Sequence, residues 1–103
     1  MSLKIEASIN ASTFMLKLFG LMDYSTIDGF KLDIPENIDK IQIDFTNIDF
    51  IDSTGIGSLI SIIYTAEERG LDVEFTGLND STRDLFETVG VFRIMEALLK
   101  GGL

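Results

Sequence analysis

The sequence predicts an α/β domain built on a mixed four- to five-stranded sheet with helices packed mainly on one face, in the order β-β-α-β-α-β-α-α. Three observations carry this. Several short segments alternate apolar and polar residues with the period of two of a strand that has one buried face. One long segment, Ile56 to Ala66, repeats apolar residues at helical spacing. Short loops join that helix to a strand on either side, and a strand–helix–strand unit of this kind makes a parallel crossover.

The elements follow in order. Leu3, Ile5, Ala7 and Ile9 alternate with Lys4, Glu6, Ser8 and Asn10, which reads as a first strand. Asn10-Ala11-Ser12 reads as a tight turn into a second strand with Phe14, Leu16 and Leu18 on one face. Thr26 to Leu32 fits a short helix capped by Ser25 or Thr26, and Ile34 to Asn37, with the single Pro35, reads as loop. Lys40 to Phe45 is a third strand with Ile41, Ile43 and Phe45 inward, followed by an apolar lead-in from Ile48 to Asp52. The main helix runs from about Thr54 to Arg69 with Ile56, Leu59, Ile60, Ile63 and Ala66 as its apolar stripe, and Gly70 stops it. Leu71, Val73 and Phe75 form a fourth strand. Ser81 to Val89 is a helix capped by Asp80 or Ser81, with Leu85, Phe86 and Val89 inward and Gly90 at its end. Phe92 to Leu99 closes the chain as a short helix, and Gly101-Gly102 is expected to fray.

One hundred and three residues make a single domain, residues 1–103. A chain of this length buries roughly two-thirds of its unfolded surface, which supports one core. The apolar fraction of 46 % excludes a disordered chain. No apolar run is long enough for a membrane span, and Met1-Ser2-Leu3-Lys4 leads straight into alternating sequence, so no signal peptide is expected. A cytoplasmic location fits these features and the absence of cysteine.

Cysteine and histidine are both absent. That removes thiolate metal sites, the usual zinc ligands, the usual general base and every Ser-His-Asp arrangement. A Ser-Lys pair has no motif spacing here, and no P-loop lysine follows Gly55 and Gly57. The chain is therefore expected to be no enzyme and to need neither cofactor nor metal. A net charge of −9 argues against nucleic acid and anionic membrane as partners. It serves solubility, and it would also steer the chain toward a basic partner surface.

The informative stretch is Asp49-Phe50-Ile51-Asp52-Ser53-Thr54-Gly55-Ile56-Gly57, between the third strand and the main helix. The first turn of a helix carries unpaired N–H groups and the positive end of the dipole. Asp52, Ser53 and Thr54 suit capping there. The same setting suits a phosphate carried on the hydroxyl. Two glycines in the first turns of a helix cost about 1 kcal/mol each against alanine, which suggests a close approach to the backbone.

At these residues the sequence resembles the STAS domain family (sulfate transporter and anti-sigma factor antagonist), and the resemblance covers nearly the whole chain. Ile41-Gln42-Ile43-Asp44-Phe45 with Ile48 to Leu59 is similar to its hallmark strand, loop and helix start. Gly20-Leu21-Met22-Asp23, Gly77-Leu78 and Leu85 to Val91 are similar to its other conserved elements. Seventeen residues lie between Asp23 and Ile41, fewer than the full helix the family places there. The resemblance implies a STAS-like fold and an anti-sigma factor antagonist. Its phosphorylation site would be Ser53, flanked by Asp23, Asp52, Thr54, Gly55 and Gly57. Its partners would be an anti-sigma factor with serine kinase activity, released on phosphorylation, and a serine phosphatase that resets the switch. On the main helix, Ser53, Gly57, Ser61 and Tyr64 are the expected partner-binding ridge. The alternative is a non-switched interaction module of the same fold, serving as a scaffold or a transport accessory subunit.

Overall fold

The computed structural model describes residues 2–27 and 33–99. Strands β1 (Leu3–Asn10) and β2 (Thr13–Met22) form an antiparallel hairpin around Ala11-Ser12. Strand β3 (Lys40–Ile51) lies parallel to β2, and β4 (Asp72–Thr76) lies parallel to β3. Among the described residues the sheet has four strands in the order β1-β2-β3-β4. Helix α1 (Ser53–Arg69) joins β3 to β4, and α2 (Asp80–Val89) and α3 (Val91–Leu98) follow. The mixed sheet matches the expectation. The helix expected over Thr26–Leu32 runs into residues 28–32, and Gly101-Gly102 also fall outside the described residues.

The strand alternation does what it predicts. Phe14, Leu16, Leu18, Ile41, Ile43 and Val73 are buried on the face that meets the helices. Lys17, Gln42, Asp44 and Glu74 stand on the opposite face, where Gln42 donates to Glu74 at 2.7 Å and Lys40 pairs with Glu74 at 3.2 Å. Helix α1 buries Ile56, Leu59, Ile63 and Ala66 as its stripe predicts; Ile60, also expected in the stripe, is only half-buried, and Ile62 is buried instead. The stripe is displaced toward Ile62, where α3 packs along the flank of α1. An edge-to-face chain of rings ties the remaining layers. Phe45 meets Phe75 at 5.2 Å and Phe86 at 5.7 Å, and Phe86 meets Phe92 at 6.0 Å. It joins β3 and β4 to α2 and α3, and each such pair contributes about 0.5–1.5 kcal/mol beyond burial.

Four local expectations are corrected. The third strand does not stop at Phe45; it runs to Ile51 because β2 is long enough to pair with it up to Met22. The pairing advances twice by an extra residue on β3, from Lys17↔Asp44 to Phe19↔Asn47 and from Gly20↔Ile48 to Leu21↔Phe50. Each extra residue is a bulge that resets which side chains face inward. The buried positions therefore pass from Phe45 to Ile48 to Ile51, spacing that looks unlike a strand in sequence. Helix α1 begins at Ser53, one residue earlier than expected, because Asp52 is its cap. Helix α2 is capped by Asn79, whose side-chain oxygen accepts from the Thr82 N–H at 2.8 Å, so Asp80 is already helical and Ser81 is not the cap. Val89 does not point inward; it is 45 % exposed, because the chain turns at Gly90 and Val91 enters the core instead.

Where β3 bulges, Asp44 Oδ1 accepts from the Thr46 N–H at 2.9 Å and from its hydroxyl at 2.6 Å. The Thr46 hydroxyl, then its N–H, hold the Asp44 carboxyl below the ordinary range against a smaller opposing effect of burial, and Lys17 adds the least. Gly77, at φ 70°, packs over this turn: a Cβ there would overlap Thr46 Oγ1 and lie 2.6 Å from Asp44 Oδ1. Gly77→Ala should therefore lower stability by about 1–3 kcal/mol in urea unfolding, through both the positive φ and the overlap. A depressed carboxyl contributes stability that is full above its unfolded pKa and is lost as pH falls through its lower folded value. Thermal melts from pH 7 to pH 3 should accordingly show a smaller acid loss for Asp44→Asn than for the parent chain.

Candidate functional site

Because β2 and β3 are parallel, their carboxyl ends emerge at the same edge of the sheet, the place where open α/β sheets form their sites. Strand β2 runs into a turn over Asp23–Ile27, and β3 runs through the single residue Asp52 into α1. Asp52 joins the two. Its N–H donates to the Met22 carbonyl at 3.2 Å, and its carbonyl accepts from Ile56 N–H at 3.0 Å. Its Oδ1 accepts from the Gly55 N–H at 3.0 Å, which caps the helix, and its Oδ2 accepts from the Tyr24 N–H at 3.2 Å.

Asp23 lies beside this junction, but its carboxylate serves its own turn. Oδ1 accepts from the Ser25 hydroxyl at 2.6 Å and the Ser25 N–H at 2.9 Å. The Ser25 hydroxyl is the main reason the carboxyl is held below the ordinary range, with the Ser25 and Thr26 N–H groups adding to it against some desolvation. Thr26 is the inner pin of the turn: its hydroxyl donates to Leu21 O at 2.8 Å and accepts from Asp23 N–H at 3.0 Å.

With the frame held this way, Ser53 is the first residue of α1 and is exposed. Among the described residues its hydroxyl has no hydrogen-bond partner, and neither do the N–H groups of Ser53 and Thr54, since the cap serves Gly55 and the ladder begins at Ile56. Thr54 is exposed beside it. Gly57, Ser61 and Tyr64 follow Ser53 along one exposed side of α1, and Tyr64 is 49 % exposed. The spacing of four, four and three places the four residues on one helix face.

The two glycines have different explanations. A Cβ on Gly55 would overlap the Met22 carbonyl and lie 3.0 Å from Ile51 Cγ2, so the close approach is made by the chain itself. Gly57 has open space around its would-be Cβ.

Two exposed aromatics were not legible as site residues. Tyr24 is 78 % exposed on the β2 side of Asp52, and Phe50 is 53 % exposed on the other. A signal existed for Phe50: Ile48, Phe50 and Ile51 cannot all face inward from one strand, and the second bulge turns Phe50 out. Asp23, Asp49 and Asp52 collect here, and none is ion-paired among the described residues. No group of three potential metal ligands occurs among the described residues, and no described helix is long and apolar enough to cross a membrane.

Alanine at the two glycines should have opposite effects. Gly55→Ala is expected to destabilise by about 1–3 kcal/mol because a backbone carbonyl must move. Gly57→Ala should stabilise by up to about 1 kcal/mol through helix propensity. Paired denaturant melts check both.

Among known proteins, the STAS domain family matches residues 4–100. The anti-sigma F factor antagonist of Paenibacillus polymyxa is 25% identical over 100 residues, spanning 92% of this chain and 86% of that protein. A sulfate transporter family protein from Wolinella succinogenes superposes with a TM-score of 0.74 at 19% identity, over 85% of this chain and 75% of that one. The unphosphorylated anti-sigma factor antagonist SpoIIAA superposes with a TM-score of 0.67 at 19% identity, over 82% of this chain and 81% of that one. At such identities the structural likenesses speak for the fold alone. The family match runs through every strand and helix described above, and the chain belongs to the STAS domain family.

Proposed function

We propose that this chain is an anti-sigma factor antagonist that acts by binding in the cytoplasm, not by catalysis, and that phosphorylation of Ser53 switches it off. Unphosphorylated, it binds an anti-sigma factor that is also a serine kinase, over the ridge of Ser53, Gly57, Ser61 and Tyr64. The kinase forms an Oγ–phosphorus bond at Ser53 as the β–γ bond of ATP breaks and ADP leaves. A serine phosphatase hydrolyses the product and restores binding.

The observation that carries this reading is the position of Ser53. Its hydroxyl is exposed at the head of α1 and has no partner among the described residues, while Asp52 carries out the capping. A hydroxyl that caps a helix would cost stability when modified, whereas this one is free to react. The unpaired Ser53 and Thr54 N–H groups and the helix dipole can accommodate a phosphate, so the fold survives the change. The phosphate adds roughly −1.5 to −2 charges beside Asp49 and Asp52 and occupies space that a docked partner needs. A loss of about 3 kcal/mol is more than a hundredfold in affinity. The relative from Paenibacillus polymyxa, named as an anti-sigma F factor antagonist, supports the reading.

A second reading keeps the fold, which a sulfate transporter family protein shares, and has the same surface bind constitutively as a transport accessory module or scaffold. Reactivity separates the two. Incubation with a purified anti-sigma factor serine kinase from the same organism, with ATP, should add about 80 Da, the mass of one phosphoryl group, at Ser53. The constitutive module would gain nothing.

Binding measurements give the matching test. Ser53→Ala should keep the affinity of the parent chain, and Ser53→Asp should weaken it by about a hundredfold or more. Equal affinities would refute the switch. Ser61→Arg should also weaken binding, and kinase binding left untouched by it would remove Ser61 from the contact surface.

A further inference from the structure

Beside the head of α1, on the side away from the Tyr24 turn, a cleft of about 380 Å³ opens between the end of β3 and the start of α2. It is lined by Asp49, Phe50, Ile51, Asn79, Thr82 and Leu85, together with Ser81. We propose that this cleft receives an arginine side chain of the partner protein, its guanidinium stacked on Phe50 and paired with the Asp49 carboxylate. The inference rests on the partner-binding reading and names the chemistry that the partner brings.

The lining selects this occupant. Phe50 and Leu85 supply an apolar wall for the aliphatic stem, and Asp49 supplies the charge for the head group. A planar guanidinium can stack on a ring and bond a carboxylate at once, which an ammonium cannot do as well. Asp49 is exposed and has no ion-pair partner among the described residues. Arg83, the cation of α2, is turned into a separate cleft beneath β4 with Glu74 and Phe92. The start of α2 does not make the cleft an anion site: Asn79 caps it, Asp80 lies in its first turn, and the Asp49 carboxylate faces it. A net charge of −9 draws a basic surface toward this edge.

The cleft also explains why an apolar ring is left half in water. Phe50 is one of few large apolar side chains that the described fold exposes, and it lies three residues before Ser53 in sequence. Guanidinium stacking and a close ion pair are short-ranged. A phosphate on Ser53 that lifts the partner from the head of α1 would therefore break this contact along with the ridge.

The test is the affinity of the unphosphorylated full chain for a purified serine-kinase anti-sigma factor from the same organism, at low and high salt. Phe50→Ala and Asp49→Asn should each weaken binding by about tenfold. Phe50→Leu, which keeps the apolar bulk, should fall nearly as far because it has no π-face. Ile9→Ala, an exposed apolar site on the hairpin, should stay within about twofold. The affinity of the parent chain should fall with salt, and that of Asp49→Asn should fall less steeply. Parent-level binding by both Phe50→Ala and Asp49→Asn, with the parent chain binding normally, would overturn the cleft while leaving the partner reading intact. Tighter binding by Asp49→Asn would overturn it in favour of an anionic group. A parent chain that does not bind the kinase at all would refute both readings together.

Discussion

The junction between Asp52 and Met22 sets the geometry of the rest. Two parallel strands end side by side, and one residue separates the second from a seventeen-residue helix. There is no loop to absorb error, so the direction of α1 is set by the four backbone groups and one carboxylate that meet there. The Asp52 N–H holds the Met22 carbonyl, and its carboxylate spans Gly55 N–H and Tyr24 N–H. Gly55 follows from this: the carbonyl that anchors Asp52 lies where a Cβ would be. A helix start so constrained presents its first residue to solvent in one orientation. Ser53 inherits that orientation without taking part in the capping.

The bulges in β3 are the second determinant. Without them, β3 would continue the alternation of Ile41, Ile43 and Phe45, and Phe45 would be followed inward by Asn47 and Asp49. The first extra residue puts Ile48 inward in their place, and the second restores the phase, so that Ile51 is inward while Asp49 and Phe50 stand outside. The Asp44–Thr46 turn and the Gly77 contact brace the strand where the first bulge begins. Packing below, through the Phe45–Phe86 pair, holds α2 close enough to form a cleft against the displaced Phe50. The local irregularity is thus what turns Asp49 outward and puts its charge next to the exposed Phe50 beside the head of the helix.

In the proposed function, the arrangement separates stability from switching. The buried residues behind the site are apolar, and no buried polar or charged residue occurs among those described. The groups around Ser53 are exposed or served by local hydrogen bonds. New charge at Ser53 meets a positive helix end locally and a crowd of carboxylates at longer range, where a partner would lie. Such a surface can change its affinity for a partner by a large factor with little change in its own folding free energy.

The sheet, the main helix and its stops were readable because period-two and helical patterns depend only on which side chains must leave water. Gly70 and Gly90 follow from the left-handed residue that ends a helix, and both stand at φ above 70° or close to it. Ser53 was readable as a helix-start hydroxyl, and the family pattern around it marked the position. The long β3, the Asn79 cap, the outward Val89 and the exposure of Phe50 and Tyr24 were not. Each depends on a partner distant in sequence: β2 for the length of β3, α3 for the end of α2, and the second bulge for Phe50. Sequence by itself determined which residues are buried wherever one period holds. Only the tertiary structure decided the positions where pairing between strands resets that period, because a bulge is a property of two strands and is written in neither.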